Sequence, residues 1–139
     1  MAADSKLDLL RSVPLFRGLG KKEIERVGQL TDTVDLPAGR VLMRQGEIGS
    51  EMFVLVSGRV QVERDGKVLA QRGPREVVGE IALTAHVPRV ATVTTLEPTR
   101  ALVVSHADFH SLMDEMPTVR TAILEALASR LSSLDPDAA

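Results

Sequence analysis

Between residues 32 and 104 the chain is cut into short β-branched or alternating segments by turn residues that recur roughly every ten positions. This spacing restricts the fold more than any other feature. The segments are 33–36, 41–44, 52–56, 60–64, 67–71, 89–96 and 100–104. Pro37-Ala38-Gly39, the glycine-bounded stretch 46–49, Ser57-Gly58, Asp65-Gly66 and Glu97-Pro98-Thr99 separate them. Asp65-Gly66 is the strongest hairpin signal, because both residues tolerate positive φ. Short strands at this spacing suit a barrel or a jelly roll.

Helical patterns flank the strands. Residues 5–12 carry Leu7, Leu9 and Leu10 and stop before Pro14, while 21–30 repeats Ile24, Val27 and Leu30 at helical spacing. Ser105 followed by Asp108 makes a capping-box-like start, and Phe109, Leu112, Met113 and Met116 then form an apolar stripe. Pro117 breaks that helix and opens another reaching about Leu134, with Leu124, Leu127, Leu131 and Leu134 on one face. With 139 residues and no internal repeat, the chain suits one domain. N-terminal helices fill 1–30, strands 31–104 and C-terminal helices 105–134. Three phenylalanines are its only aromatic residues of the Phe, Tyr and Trp class, so the core must be aliphatic. A net charge of −2 provides no broad basic surface, and no nucleic-acid partner is expected for this domain alone. The absence of cysteine excludes a disulfide framework and a thiolate metal site. The first residues lack the apolar run of a secretory signal and no stretch approaches a membrane span, so a cytoplasmic protein without a membrane partner is expected.

The stretch 78–93, from Val78 to Val93, carries the chemistry. Gly79 lets a ligand approach the backbone. Ile81-Ala82-Leu83 can begin a helical turn whose N–H groups point at a common anion. Pro88 stiffens the return and sets Arg89 where its guanidinium can fork onto two phosphate oxygens. Glu80 supplies an acceptor for hydroxyls beside that phosphate. Phosphate plus sugar hydroxyl means nucleotide.

Gly-Glu-Ile-Ala-Leu, five residues, then Arg-x-Ala resembles the phosphate-binding cassette of the cyclic nucleotide-binding domain family, which includes kinase regulatory subunits, gated channels and catabolite-activator proteins. The resemblance runs from about Leu15 to about Leu131, and Val13-Pro14-Leu15-Phe16 is similar to the family's N-terminal entry. It implies that Glu80 holds the ribose 2′-hydroxyl and Arg89 pairs with the cyclic phosphate. The N–H groups of Ala82 and Val90 would complete the cradle, and Gly79 would let the sugar come close. Ile81, Leu83, Pro88 and Ala91 fill out the ligand-binding set. Val78 stands where the family often has an aromatic residue. Val90 follows the arginine where relatives that favour cyclic GMP often carry threonine, which leans toward cyclic AMP, with cyclic GMP as the second candidate. A base lid would come from the last helix at Leu127, Arg130 or Leu131. Gly46, Gly49 and Gly58 match structural turn glycines.

The fold expected is therefore mainly β with flanking helices: an eight-stranded jelly-roll-like β-barrel, N-terminal helices and two C-terminal helices. The function expected is a cyclic-nucleotide sensor and not an enzyme, since no Ser/His/Asp set or paired carboxylate falls in a plausible pocket. No catalytic residue and no cofactor is expected, only the cyclic nucleotide as ligand. His106 and His110 lie four apart on a helix, but no third ligand joins them and His86 is distant in sequence, so a solvated helix face and no metal are expected. Arg72 and Arg75 flank Gly73-Pro74 in a solvated loop. Phosphate would draw the Ala82-Leu83 turn inward, shift Leu83 against Phe109 or Leu112 and swing the C-terminal helices. The output would be an unidentified effector domain or protein, with the chain a monomer or weak homodimer. The alternative is a ligand-free barrel used as a protein-interaction module. A cupin-like metalloenzyme is disfavoured because no histidine falls on a strand segment.

Overall fold

The computed structural model describes residues 3–83 and 85–131. Among them the chain forms helices α1 (Ala3–Arg11) and α2 (Lys21–Leu30) and then strands β1 (Asp32–Leu36), β2 (Val41–Met43), β3 (Glu51–Ser57), β4 (Val60–Arg64) and β5 (Lys67–Arg72). Strands β6 (Val77–Val78), β7 (Thr92–Thr95) and β8 (Thr99–Ser105) follow, and helices α3 (His106–Glu115) and α4 (Pro117–Leu131) end the description. Two 3-10 turns, Pro14–Phe16 and Glu80–Leu83, interrupt the sequence.

The strands form two four-stranded antiparallel sheets, in the orders β1-β8-β3-β6 and β2-β7-β4-β5, rather than one closed barrel. Closure fails at the edges. Edge strand β6 has only two residues, and edge strands β1 and β5 carry Asp32, Asp35, Lys67 and Arg72, charges that discourage further pairing. Two further expectations shift. Val77–Val78 is a strand too short to show alternation. The expected strand at 89–96 contracts to Thr92–Thr95, because residues 87–89 are held by another loop.

Strands β3 and β8 run through the centre of the first sheet and are buried on both faces. Phe53 and Leu55 of β3, with Ala101 and Val103 of β8, point between the sheets to meet Val60, Val62, Val78 and Val93. Met52, Val54, Leu102 and Val104 point the other way into a helical core with Leu10, Phe16, Ile24, Phe109 and Leu112. Two-sided burial explains why these strands read as near-continuous apolar runs. The aliphatic core expected from the composition is present, with Phe16 and Phe109 in ring contact at 5.7 Å.

Local rules hold at most boundaries. The Ser105 hydroxyl accepts from the Asp108 N–H at 3.1 Å, capping α3. The Glu23 carboxylate accepts from Gly20 N–H at 2.6 Å before α2. At the β4–β5 hairpin, Asp65 has φ 53° and Gly66 φ 77°. The end of the last helix expected near Leu134 lies outside the described residues.

Arg75 is less comfortable. It occupies the third position of a turn that Glu76 N–H closes on the Gly73 carbonyl at 3.1 Å, and its φ is 74°. With Pro74 before it, this is the position where a type II turn favours glycine. Arg75→Gly is expected to raise stability by about 0.5–1 kcal/mol, since the relief of a left-handed β-carbon exceeds the added unfolded-state entropy. A chemical-denaturation midpoint that stays or falls would contradict this.

Candidate functional site

The cassette begins where β6 leaves its pairing with Phe53 and Val54 of β3. Gly79 turns the chain with φ 79°. The turn Glu80–Leu83 then winds back, with Ala82 N–H donating to the Gly79 carbonyl at 3.1 Å and Ala85 N–H to the Ile81 carbonyl at 3.1 Å. The Ala82 N–H expected to face phosphate thus closes the turn itself. Leu83 drives the end of the turn into the helical core beside Phe109 and Leu112.

The other wall is residues 87–90, and it is clamped by the β2–β3 loop. Arg89 N–H donates to the Glu47 carbonyl at 2.7 Å, Gly46 N–H to the Arg89 carbonyl at 2.9 Å and Gly49 N–H to the Val87 carbonyl at 3.3 Å. Ile48 and Pro88 form a bridge between them. Pro88 lacks an N–H and has a fixed φ, so it stiffens this wall at no cost in unsatisfied donors.

Arg89 reaches back across the cleft. Its Nη2 donates to the Glu51 carbonyl at 2.8 Å and its Nη1 to the Gly79 carbonyl at 3.5 Å. Ion pairs among the described residues do not include it. Burial pushes the guanidinium down from its ordinary value, opposed by the charge of Glu51. A half-buried cation anchored on neutral carbonyls keeps donor capacity for an anion, because guanidinium has five N–H bonds.

Glycines make this reach possible. A β-carbon on Gly49 would come within 2.6 Å of Arg89 Nε, and one on Gly79 within 2.6 Å of Arg89 Nη1. Gly49 has no left-handed φ, so it serves space and not conformation.

Gly79, Ile81, Ala82, Pro88, Arg89 and Val90 line an open cleft, joined by Val87. Ile81, Val87 and Val90 expose apolar side chains there. Glu80 sits in the turn with its Oε2 shielded from solvent. Leu83 and Ala91 are buried in the helical and inter-sheet cores and do not line the cleft. Leu127 packs against the helical core and does not line the cleft. The side chains of Arg130 and Leu131 lie outside the described residues.

The histidines require a correction. His86 is not remote from the helix: its ring centroid lies 3.8 Å from that of His106, which lies 4.1 Å from His110. His106 is buried rather than solvated, because the segment after the cassette turn folds back over the start of α3. Among the described residues no group of three or more His, Cys, Asp or Glu is arranged to hold a metal.

Residues 33–116 match the Cyclic nucleotide-binding domain family. The chain belongs to that family. Within the family it is 37% identical over 109 residues to the Pycsar effector protein XpPycTIR of Xanthomonas perforans, covering 78% of this chain and 36% of the effector. To the CRP-like cAMP-activated global transcriptional regulator of Mycobacterium tuberculosis it is 27% identical over 129 residues, covering 89% of this chain and 58% of the regulator. It therefore spans between about a third and three fifths of these relatives' length. The N-terminal domain of a transcriptional regulator from Streptomyces coelicolor superimposes with a TM-score of 0.82 at 35% identity, covering 90% of each chain. Among the described residues no helix is long and apolar enough to cross a membrane.

Proposed function

We propose that residues 1–139 form a single regulatory domain that binds a cyclic nucleotide, cyclic AMP in preference to cyclic GMP, and performs no chemistry on it. The observation that carries this reading is the half-buried Arg89 guanidinium, held on the Glu51 and Gly79 carbonyls at the mouth of a glycine-walled cleft. The cyclic phosphate takes the remaining Arg89 donors and the ribose 2′-hydroxyl takes Glu80. The apolar Ile81, Val87 and Val90 leave the base without a threonine hydroxyl at position 90, and a relative described as cAMP-activated supports the same preference. The strand order of the two sheets supports the jelly-roll reading of the scaffold.

The output is movement of α3 and α4 toward an effector domain or protein. For the phosphate to gain the Ala82 N–H, the turn must loosen that group from the Gly79 carbonyl, and Leu83 moves with it. Leu83 is fully buried with Phe109 and Leu112, so displacement is transmitted to α3 by packing. Leu83→Ala is expected to lower stability by about 2–4 kcal/mol. It should leave nucleotide affinity within about threefold while abolishing the helix movement, read as the cyclic-AMP-induced change in distance between spin labels on β4 and α4. Movement that persists in the variant would put the coupling elsewhere.

Titration calorimetry with cyclic AMP, cyclic GMP and 5′-AMP tests the binding claim. Saturable binding of cyclic AMP at a micromolar or lower dissociation constant, weaker for cyclic GMP and weakest for 5′-AMP, is the expected order. No binding of either cyclic nucleotide by folded protein would favour the interaction-module reading.

A further inference from the structure

Three histidines, one from the cassette loop and two from α3, form one stack of ring contacts where the cassette meets α3. His86 follows the cassette turn, His106 opens α3 and His110 lies one turn along it. The His106 Nδ1 is 2.6 Å from the Ala82 carbonyl. A carbonyl oxygen has no proton to give, so Nδ1 carries the hydrogen and donates it. The main-chain N–H of the same residue donates to the Ser50 carbonyl at 2.8 Å. Ser50 precedes Glu51, whose carbonyl anchors Arg89. His106 thus ties together the turn on one side of the cleft and the strand start that holds the arginine on the other.

We propose that His106 is a positioning residue for the anion cradle, and that the three-ring stack makes this lock proton-sensitive, holding the cassette turn against α3 when neutral and releasing it on acidification. The consequence for ligand affinity rests on the nucleotide reading above; the lock itself is a property of the chain alone.

Neutral imidazoles pack at these spacings, whereas protons added to adjacent rings put like charges about 4 Å apart and drive the rings away from each other. The charged groups acting on His110 are Asp114, one turn further along α3, and Arg120 of α4. They pair at 2.5 Å, so their opposing influences partly cancel. From the cassette turn the stack meets the Ala82 carbonyl, a dipole without net charge. Burial, then the neighbouring His106 ring, pushes the His110 imidazole down from its ordinary 6.5. A base with a lowered folded value is favoured neutral in the packed state. The contribution of a neutral His110 to the stack is therefore complete above about pH 6.5 and is lost as pH falls toward that lowered value, the released form taking the proton first.

The test measures cyclic AMP affinity by calorimetry at about pH 8 and about pH 5.5. The thermal midpoint of the protein without nucleotide is followed over the same range. Wild-type affinity should fall roughly tenfold on acidification, and the His86→Gln, His110→Gln double variant, which retains the His106 donor, should lose no more than about twofold. His106→Leu should weaken binding roughly tenfold at about pH 8, with His106→Asn, whose amide N–H can stand where Nδ1–H stood, recovering part of it. Equal pH slopes in wild type and double variant, or wild-type affinity in His106→Leu, would overturn the proposal. Absence of cyclic AMP binding at both pH values would sink the nucleotide reading alone. The lock would still be decided by the midpoints. Wild type must lose more stability with acid than the double variant, and equal losses refute it.

Discussion

Arg89→Ala is expected to weaken cyclic AMP binding by about 2–4 kcal/mol, roughly 30- to 1000-fold, with the fold intact. The size follows from what remains. Without the guanidinium a phosphate would meet backbone donors alone, and the Ala82 N–H is engaged with the Gly79 carbonyl at 3.1 Å. The protein itself loses little, because the arginine's partners are two carbonyls at the cleft mouth and its burial already works against its charge. A stability change of about 1 kcal/mol or less should appear in denaturation. Arg89→Lys should recover only a fraction of the binding, since an ammonium is a point charge that cannot hold two carbonyls and fork onto a phosphate together. An Arg89→Ala affinity within twofold of wild type would remove this residue from the site.

The second large effect is expected at Gly79, and Gly49 provides its control. Alanine at Gly79 would place its β-carbon 2.6 Å from Arg89 Nη1, 2.9 Å from the Glu51 carbonyl oxygen and 2.9 Å from Met43 Cε, at φ 79°. Backbone strain and a clash with fixed main chain combine, so Gly79→Ala should cost about 2–3 kcal/mol of stability and most of the binding. Alanine at Gly49 meets Arg89 Nε, Cζ and Cδ at 2.6, 2.7 and 2.8 Å without a left-handed φ. The side chain can give way there where the main chain cannot. Gly49→Ala should therefore cost less than about 1 kcal/mol of stability yet weaken cyclic AMP by roughly tenfold or more, by displacing the guanidinium. Denaturation and calorimetry on both variants separate the two cases. Equal losses of stability would mean that the Gly49 site is structural only.

The contrast between these glycines marks where the sequence stops being informative. Asp65-Gly66 and Ser105 with Asp108 announce their structures because the deciding interactions are local, and α2 at Lys21–Leu30 follows from apolar spacing along one helix. Gly79 and Arg89 are legible through the cassette pattern, whose members are near in sequence. Gly49 is 40 positions before Arg89, and its missing side chain matters only once the β2–β3 loop lies against residues 87–89. The same reason hides Val87 in the cleft wall and the meeting of His86 with His106. Each is a tertiary contact with no periodic signature. Sheet closure was misjudged on similar grounds, since strand spacing counts strands but does not say how edges such as Val77–Val78 end.

The most direct measurement is an amide chemical-shift map of the labelled protein titrated with cyclic AMP, including the Arg89 side-chain Nε–H. The account predicts saturable shifts concentrated at Gly79, Ile81, Ala82, Arg89 and Val90 and a large displacement of the Arg89 Nε–H signal, with smaller changes carried through Leu83 into α3. No saturable shifts, or shifts confined to surfaces away from the Gly79–Arg89 cleft with the Nε–H unmoved, would contradict it.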